Sequence, residues 1–315
     1  MDNIKRFDLA VSKLTADAAK VMKNLSGEEK NSVREIRLRA DSPVVVITEK
    51  GVRFINAGTG RLTELYSSVA VHTDAQEIGE IYRRICNYSV HTYADSATRG
   101  FITFEGGHRA GVAGVAFSEK GRVNAVRDIS CINIRIAREF KGSADEIFSR
   151  LFNGGTPSLI IAGPPASGKT TVLRDLARQL SCRERGLYKK VFVCDERGEI
   201  GASYCGIPQN DLGLNCDLIT SYPKAEGVMI GLRSFSPDYI VCDEVATESE
   251  VKAIESGMNC GVNFILSVHA ENEADLRNKA LIHPLLGDGR VTDIALLSHE
   301  SGKIRSFLKA GDLIG

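Results

Sequence analysis

The segment LIIAGPPASGKTT, from Leu159 to Thr171, constrains the fold of this chain more than any other feature. Its residues from Gly163 onwards fit the pattern G-x-x-x-x-G-K-[ST], with an apolar strand-like run before it and a helical pattern after it. Glycines let backbone N–H groups turn towards phosphate oxygens, and the start of a helix adds a partial positive charge. The segment therefore predicts a P-loop between a strand and a helix of an α/β domain.

Each polar residue of the P-loop has an expected role. Lys169 is expected to reach the β- and γ-phosphates of a nucleotide, and Thr170 to offer its hydroxyl to Mg²⁺. The predicted nucleotide-binding residues are Gly163, Pro164, Pro165, Ala166, Ser167, Gly168, Lys169, Thr170 and Thr171.

A P-loop needs a carboxylate to hold its magnesium ion, and the segment DYIVCDE supplies one. Asp243 ends an apolar strand pattern, and Glu244 follows it. At the carboxyl end of a strand both side chains can approach one site. We predict that Thr170 and Asp243 hold Mg²⁺, and that Glu244 orients or deprotonates the attacking water.

A second acidic cluster, VFVCDERGEI, ends another strand pattern and contains Asp195 and Glu199. Its DERG also matches the D-x-x-G of GTPases, but the nearest match to N-K-x-D, at Asn278, lacks the aspartate. This disfavours a GTPase. Because the cluster lies in the chain between the P-loop and Asp243, it fits an ATPase with an inserted strand, in which Glu199 helps to place the water. His269 ends a further strand pattern and is a candidate sensor of the γ-phosphate.

The remaining patterns predict two domains, as the length of 315 residues allows. Residues 1–140 alternate short strands and helices, including a hairpin that turns at Gly106 and Gly107 and a helix with a capping box of Thr73 and Gln76. Polar residues 141–146 are a candidate hinge. Residues 147–315 alternate Val/Ile-rich strands with helices, which is typical of a mainly parallel sheet buried on both faces.

Composition narrows the functional classes. Lys+Arg and Asp+Glu are 40 each, so no net charge attracts the chain to nucleic acid or to an anionic membrane. No apolar stretch is long enough to cross a bilayer, and no signal-peptide pattern opens the chain, which predicts a cytoplasmic protein that reaches membranes only through partners. The eight cysteines form no C-x-x-C pair, which disfavours zinc.

Taken in order, these motifs resemble the type II/IV secretion ATPase family, and most of all a sporulation branch of that family. The resemblance covers most of the chain, in the segments EIRLRADSP, GFITFEGGHRAGVAG, NIRIARE, AGPPASGKTT, DERGEI, GIPQNDLG, PKAEG and LRSFSPDYIVCDE. It implies a smaller α+β domain hinged to a RecA-like P-loop ATPase domain, and a hexameric ring that hydrolyses Mg-ATP. The work of the ring would serve a membrane channel between mother cell and forespore, through integral membrane proteins.

The resemblance also assigns roles to individual residues. It implies that Glu244 is the catalytic glutamate, Glu199 the acidic-box residue and His269 the histidine-box residue. It further implies that arginines reach the phosphates from elsewhere, with Arg135, Arg138 and Arg233 as the candidates. The sequence departs from the family pattern at Asn215-Cys216 and at Val245-Ala246.

Two other classes of protein remain open. A small-molecule or nucleotide kinase has a similar phosphate loop, although no arginine-rich lid follows it here. A non-catalytic nucleic-acid binder would use Arg34, Arg37 and Arg39 with the pair Arg83-Arg84, but alternating arginines on one strand are more often a solvated face.

Overall fold

The computed structural model describes residues 2–119, 121–152, 155, 157–182, 188–287, 289–300 and 302–313. The chain divides into two compact units. The first contains Met1–Glu139 together with Tyr204–Gln209, and the second contains Phe140–Ser203 and Asn210–Gly315. A short stretch of the later sequence therefore belongs with the N-terminal unit, which no sequence pattern indicated.

The first unit is an α+β fold. Its helices are α1 (Asn3–Val11), α2 (Ala16–Lys23), α3 (Gly27–Ser32), α4 (Ala75–Ile85) and α5 (Ala94–Thr98), with a 3₁₀ turn at Val90–Tyr93. Its strands are β1 (Val33–Arg39), β2 (Ser42–Pro43), β3 (Val45–Thr48), β4 (Gly51–Asn56), β5 (Arg61–Thr63), β6 (His72–Thr73), β7 (Phe101–Phe104), β8 (His108–Glu119) and β9 (Arg122–Arg135).

Seven of these strands form one antiparallel sheet in the order β5-β4-β3-β1-β9-β8-β7. Apolar residues at every second position of a strand form its buried face. Ile36 and Leu38 of β1 thus pair with Ile134 and Ile132 of β9 in the core. The predicted hairpin at Gly106 and Gly107 is confirmed, since β7 pairs with β8.

The predicted capping box of the helix α4 is wrong by one residue. Asp74, rather than Thr73, is the N-cap, and its side chain accepts from the N–H of Glu77 while the Glu77 carboxylate accepts from the N–H of Asp74. Aspartate competes well with threonine for this position. Thr73 instead pairs with Ser42 in the two-stranded sheet of β2 and β6.

The second unit alternates strands and helices. Its helices are α6 (Asp145–Leu151), α7 (Lys169–Ser181), α8 (Lys224–Ser234), α9 (Glu248–Asn259), α10 (Glu273–Arg277) and α11 (His283–Gly287), with 3₁₀ turns at Ala280–Ile282 and Ala310–Leu313. Its strands are β10 (Ser158–Gly163), β11 (Val191–Asp195), β12 (Cys216–Thr220), β13 (Tyr239–Cys242), β14 (Asn263–His269), β15 (Val291–Leu297) and β16 (Ile304–Lys309).

These strands form a seven-stranded sheet in the order β12-β11-β13-β14-β10-β15-β16. All neighbours are parallel except β15 and β16. The strand inserted between the P-loop strand β10 and the Asp243 strand β13 is β14, which ends at His269. The acidic strand β11 lies on the far side of β13 from β10, although in the chain its cluster falls between the P-loop and Asp243. Chain order does not fix strand order in a parallel sheet, because each connection can skip a position.

Two apolar layers cover this sheet. Odd-numbered residues of β10, such as Leu159 and Ile161, pack with the helices α6 and α7. Even-numbered residues, such as Ile160 and Ala162, pack with α8, α9 and α11. Because both faces are buried, the strands read as continuous apolar runs in the sequence.

The segment 141–146, predicted as a hinge, falls within the second unit. The N–H of Ala144 donates to the Asp175 carboxylate at 2.9 Å, and Gln179 donates to Asp145 at 2.9 Å. Both partners lie on α7, the helix that follows the P-loop. The later part of the segment is therefore attached to α7.

No helix within the described ranges is long and apolar enough to cross a membrane.

Candidate active site at the carboxyl edge of the parallel sheet

The P-loop lies between the last residue of β10, Gly163, and the first residue of α7, Lys169. Gly168 has φ of 91° and caps the helix in the left-handed region, where glycine is favoured. At Gly163 a Cβ atom would lie 2.7 Å from the Ser167 hydroxyl and 3.0 Å from Cβ of Leu297. Glycine is therefore required at both ends of the loop, for conformation at one and for space at the other.

Lys169 turns back over the loop. Its ammonium donates to the carbonyl of Gly163 at 2.8 Å and to that of Pro164 at 2.7 Å. Burial lowers the pKa of this lysine, while the carboxylates of Asp243 and Glu244 act in the opposite direction. The ammonium is thus held inside the loop with its positive charge only partly balanced.

The Ser167 hydroxyl is buried, and within the described part of the chain it has no hydrogen-bond partner. A buried hydroxyl without a partner costs free energy unless a ligand supplies the bond. Together with the lysine and the glycine-lined space, this hydroxyl fits the oxygen-rich phosphates of a nucleotide.

Asp243 brings two strands and the P-loop helix together. One of its oxygens accepts from the Thr170 hydroxyl at 2.5 Å, and the other accepts a short hydrogen bond from Ser267 on β14. Carboxylate and hydroxyl oxygens are the ligands that Mg²⁺ prefers. The oxygens of Thr170 and Asp243 therefore fit a magnesium ion beside the P-loop, and their role as its ligands stays a prediction.

Glu244 is fixed through its backbone. Its φ of 49° lies in the left-handed region, which is unusual for a residue with a side chain. Its N–H donates to the Ser267 hydroxyl at 2.8 Å, and its carbonyl accepts from the Lys224 ammonium at 2.7 Å. The carboxylate itself forms an ion pair with Arg197. The two backbone bonds stabilise this conformation, and the side chain lines a pocket described below.

The acidic loop after β11 is organised by Asp195. Its two oxygens accept from the N–H groups of Glu199 at 2.9 Å and Gly201 at 2.8 Å. Burial raises the pKa of this carboxyl group, and those N–H groups partly offset the effect. Arg174 of α7 donates to the carbonyls of Glu199 and Ile200. The structure therefore places Glu199 on a well-supported loop.

A small pocket joins these elements. It is lined by Cys194, Asp195, Glu196, Arg197, Glu199, Lys224, Asp243 and Glu244. Glu199 and Glu244 thus share one pocket, although 45 positions of sequence separate them.

His269 ends β14 opposite Gly163 of β10 in the parallel register. Its side chain is 48% exposed and lies 4.0 Å from the Glu271 carboxylate. The structure therefore brings the predicted histidine to the strand end next to the P-loop.

The candidate arginines are not all at this edge of the sheet. Arg135 and Arg138 belong to the first unit. Arg135 is 68% exposed and pairs with Glu35 at 3.3 Å, whereas Arg138 is 11% exposed and donates to the Val33 carbonyl at 2.8 Å. Arg233 lies in the last turn of α8, about 13 Å along the helix from Lys224, and it does not line the pocket in the described part of the chain.

Sequence reasoning missed Lys224 and Arg174, and it placed Arg197 in the acidic cluster without a role of its own. The segment PKAEG was noticed, but nothing in it marked its lysine as buried among carboxylates. Arg174 follows the P-loop by one helical turn, at i+4 from Thr170, and this spacing was an available signal.

Two solved structures share this fold. The chain aligns with the ATPase DotB of Legionella pneumophila at a TM-score of 0.53 and 15% identity, over 84% of this chain and 72% of that one. It aligns with the pilus retraction motor PilT, solved with bound ADP, at a TM-score of 0.54 and 14% identity, over 85% of this chain and 75% of that one. The predicted fold class is confirmed: a RecA-like α/β domain with a mainly parallel sheet, preceded by a smaller α+β domain.

The sequence comparisons identify the family. Residues 6–310 match the model of sporulation stage III, protein AA, and the chain belongs to that family. Stage III sporulation protein AA of Bacillus subtilis (strain 168) is 35% identical over 249 residues, which cover 78% of this chain and 76% of the relative. The plant protein SEEDLING PLASTID DEVELOPMENT 1 of Arabidopsis thaliana is 28% identical over 172 residues, 53% of this chain and 24% of its own. The resemblance stated from the motifs is therefore confirmed.

Proposed function

We propose that this protein is a motor that hydrolyses Mg-ATP. The single observation that carries the proposal is the contact at the sheet edge, where Thr170 of the P-loop donates to Asp243 at 2.5 Å while Glu244 follows directly in the chain. This arrangement joins a phosphate-binding loop, two oxygen ligands for a cation and a carboxylate that can act as a base.

The catalytic roles follow from the contacts. Lys169 leaves the carbonyls of Gly163 and Pro164 and binds the β- and γ-phosphates, and Thr170 with Asp243 holds Mg²⁺. A Mg²⁺ ion held by these two residues would neutralise charge that develops on the phosphate oxygens. Glu244 accepts a proton from a water molecule whose oxygen attacks the γ-phosphorus, and the bond from that phosphorus to the bridging oxygen breaks. Glu199 and His269 orient the water and the γ-phosphate.

ATP is the proposed nucleotide because the guanine-binding N-K-x-D is not found in the sequence. The solved structure of PilT with ADP is consistent with an adenine nucleotide on this fold.

We propose that the working form is a homo-oligomer, a hexameric ring. Arg233 does not line the pocket of its own chain, and in the proposed ring it would reach the site of a neighbouring chain. Arg135 is exposed and is the better of the two N-terminal candidates for a phosphate contact, because Arg138 already supports the backbone at Val33. Motion of the first unit would pivot at the start of 141–146, before the segment that α7 holds.

The proposed partners are integral membrane proteins of a sporulation channel between mother cell and forespore, and the proposed location is the cytoplasmic face of that membrane. The family match and the Bacillus subtilis relative support a role in sporulation. The ring would bind the membrane through these partners, and no nucleic acid is expected.

The test is phosphate release from Mg-ATP by the full chain, with Lys169→Ala as the inactive reference. The proposal requires phosphate release without any added acceptor, and its loss in the variant. A P-loop kinase is the alternative. It would transfer the γ-phosphoryl group to an acceptor and would release no free phosphate in its absence. Equal release by the two proteins would contradict the assignment.

A further inference from the structure

Lys224 is a buried lysine that lines the pocket shared by Glu199 and Glu244. Its side chain is only 6% exposed, and it is the first residue of α8. The ammonium donates to the Glu244 carbonyl at 2.7 Å and lies 3.5 Å from the Glu250 carboxylate and 3.7 Å from the Glu196 carboxylate. One ammonium thus contacts groups from three different elements.

These three contacts connect the loops that carry the proposed chemistry. Glu196 lies in the acidic loop after β11, Glu244 follows β13, and Glu250 caps the start of α9 by accepting from the N–H of Ala246 at 2.8 Å. A lysine is favourable in such a position only when its charge and its N–H donors are satisfied. Here one N–H group donates to the Glu244 carbonyl and two carboxylates lie close to the ammonium, so Lys224 links the Glu244 backbone to both neighbouring elements.

The contact with Glu244 is to the backbone and not to the carboxylate. Because Glu244 has φ of 49°, its peptide groups need support on both sides, and Ser267 and Lys224 provide it on the N–H and carbonyl sides. We propose that Lys224 is a positioning residue: through the Glu244 carbonyl it holds the backbone in the conformation that aims the Glu244 carboxylate at the attacking water.

This inference rests on the proposed ATPase function. It separates the role of Lys224 from that of Lys169, which binds phosphate. Loss of Lys224 should therefore lower kcat and leave the affinity for ATP almost unchanged, since misplacing a catalytic group by about 1 Å can cost ~100-fold in rate.

The test compares four variants of the full chain with the unaltered protein, by Mg-ATP turnover, ATP affinity and melting temperature. Lys224→Met removes the ammonium, and Lys252→Met is the matched control, an exposed lysine on α9. The charge-conserving pair Lys224→Met with Glu250→Gln leaves no unbalanced buried charge. Glu250→Gln alone is the background against which the pair is compared, and glutamine also serves in a capping box.

The expected result is a fall in kcat of at least about tenfold for Lys224→Met, and for the charge-conserving pair relative to Glu250→Gln alone, with ATP affinity within about threefold and Lys252→Met close to the unaltered protein. If Lys224→Met does not fold, the pair provides the same comparison. Normal kcat in the pair would show that Lys224 only balances charge, and would overturn the proposal. Absence of turnover in the unaltered protein would overturn the proposed function and this inference with it. In that case the unaltered protein and Lys169→Ala would have the same Mg-ATP turnover.

Discussion

Thr170 and Asp243 are 73 positions apart in the sequence, and the Thr170 hydroxyl donates to the Asp243 carboxylate at 2.5 Å. This bond joins the first turn of α7 to the carboxyl end of β13. The strand β14 lies between β13 and β10, the strand that precedes the P-loop. Ser267 of β14 donates to the other oxygen of the same carboxylate. The carboxylate is therefore oriented by hydrogen bonds from two sides.

Substitutions at this pair should change the dependence of turnover on magnesium. Thr170→Val removes the hydroxyl and keeps the volume, and we expect at least about tenfold more Mg²⁺ to be needed for half-maximal turnover, a change of ~1.4 kcal/mol. Thr170→Ser keeps the hydroxyl and should remain close to the unaltered protein. Equal magnesium titrations for the two variants would exclude Thr170 as a ligand.

Substitutions at Lys169 and at Glu244 should have different effects on ATP binding and on ATP hydrolysis. Lys169→Ala removes the charge that binds phosphate, so a fluorescent ATP analogue should no longer bind. Glu244→Gln keeps the loop and removes the base, so ATP should bind normally and remain uncleaved, with turnover down ~100-fold or more. Normal turnover in Glu244→Gln would assign the base to another residue, with Glu199 the first to examine.

His108 should make the first unit sensitive to acid. Its Nε2 lies 2.8 Å from the Arg6 carbonyl and its Nδ1 accepts from the N–H of Ala137 at 3.0 Å, so the neutral ring satisfies both bonds. Burial lowers the pKa of His108 from 6.5 to about 4. The unfolded chain therefore binds a proton that the folded chain does not, and stability should fall as pH decreases from 6.5 towards 4, by roughly 3 kcal/mol in total.

Denaturant midpoints measured between pH 7 and pH 4 test this prediction. His108→Gln should have a flatter profile over that range, whatever its stability at pH 7. The exposed His299→Gln is the control and should keep the steep profile. A profile unchanged by His108→Gln would show that another group causes the acid sensitivity.

Two glycines in helices should respond to alanine in opposite directions. At Gly231 of α8 a Cβ atom would lie 2.6 Å from the buried ring of Phe192, so Gly231→Ala should lower the free energy of unfolding by about 1–3 kcal/mol. At Gly79 of α4 the nearest atom is Nη1 of Arg83 at 3.8 Å, so Gly79→Ala should raise it by about 0.5–1 kcal/mol. Thermal unfolding of both variants measures this, and a stabilising Gly231→Ala would contradict the packing of α8 on β11.

The sequence predicted the local elements well because their signals are local. Gly163 and Lys169 mark a loop whose backbone conformation few other sequences adopt. The run before Asp243 is apolar at every position, which indicates a strand that is covered on both faces. The pairing of Thr170 with Asp243 followed from the chemistry of magnesium, which requires oxygen ligands at a shared edge.

The order of the strands and the partners of buried charges were not predictable in the same way. That β14 lies beside β10, and β11 beyond β13, depends on how the connecting helices pack over the whole sheet. The burial of Lys224 depends on Glu196, Glu244 and Glu250, which lie in three separate loops or helix starts. A sequence pattern shows only relations between residues that are close in the chain, whereas the residues in these contacts are far apart in the chain.

The most direct test of the account is the turnover of Mg-ATP per chain as a function of protein concentration, with the mass in solution measured by light scattering. A motor whose sites are completed by neighbouring chains predicts that turnover per chain rises with concentration while the mass rises to that of a ring. Concentration-independent turnover by a monomer would contradict the motor and return the P-loop to the kinase interpretation.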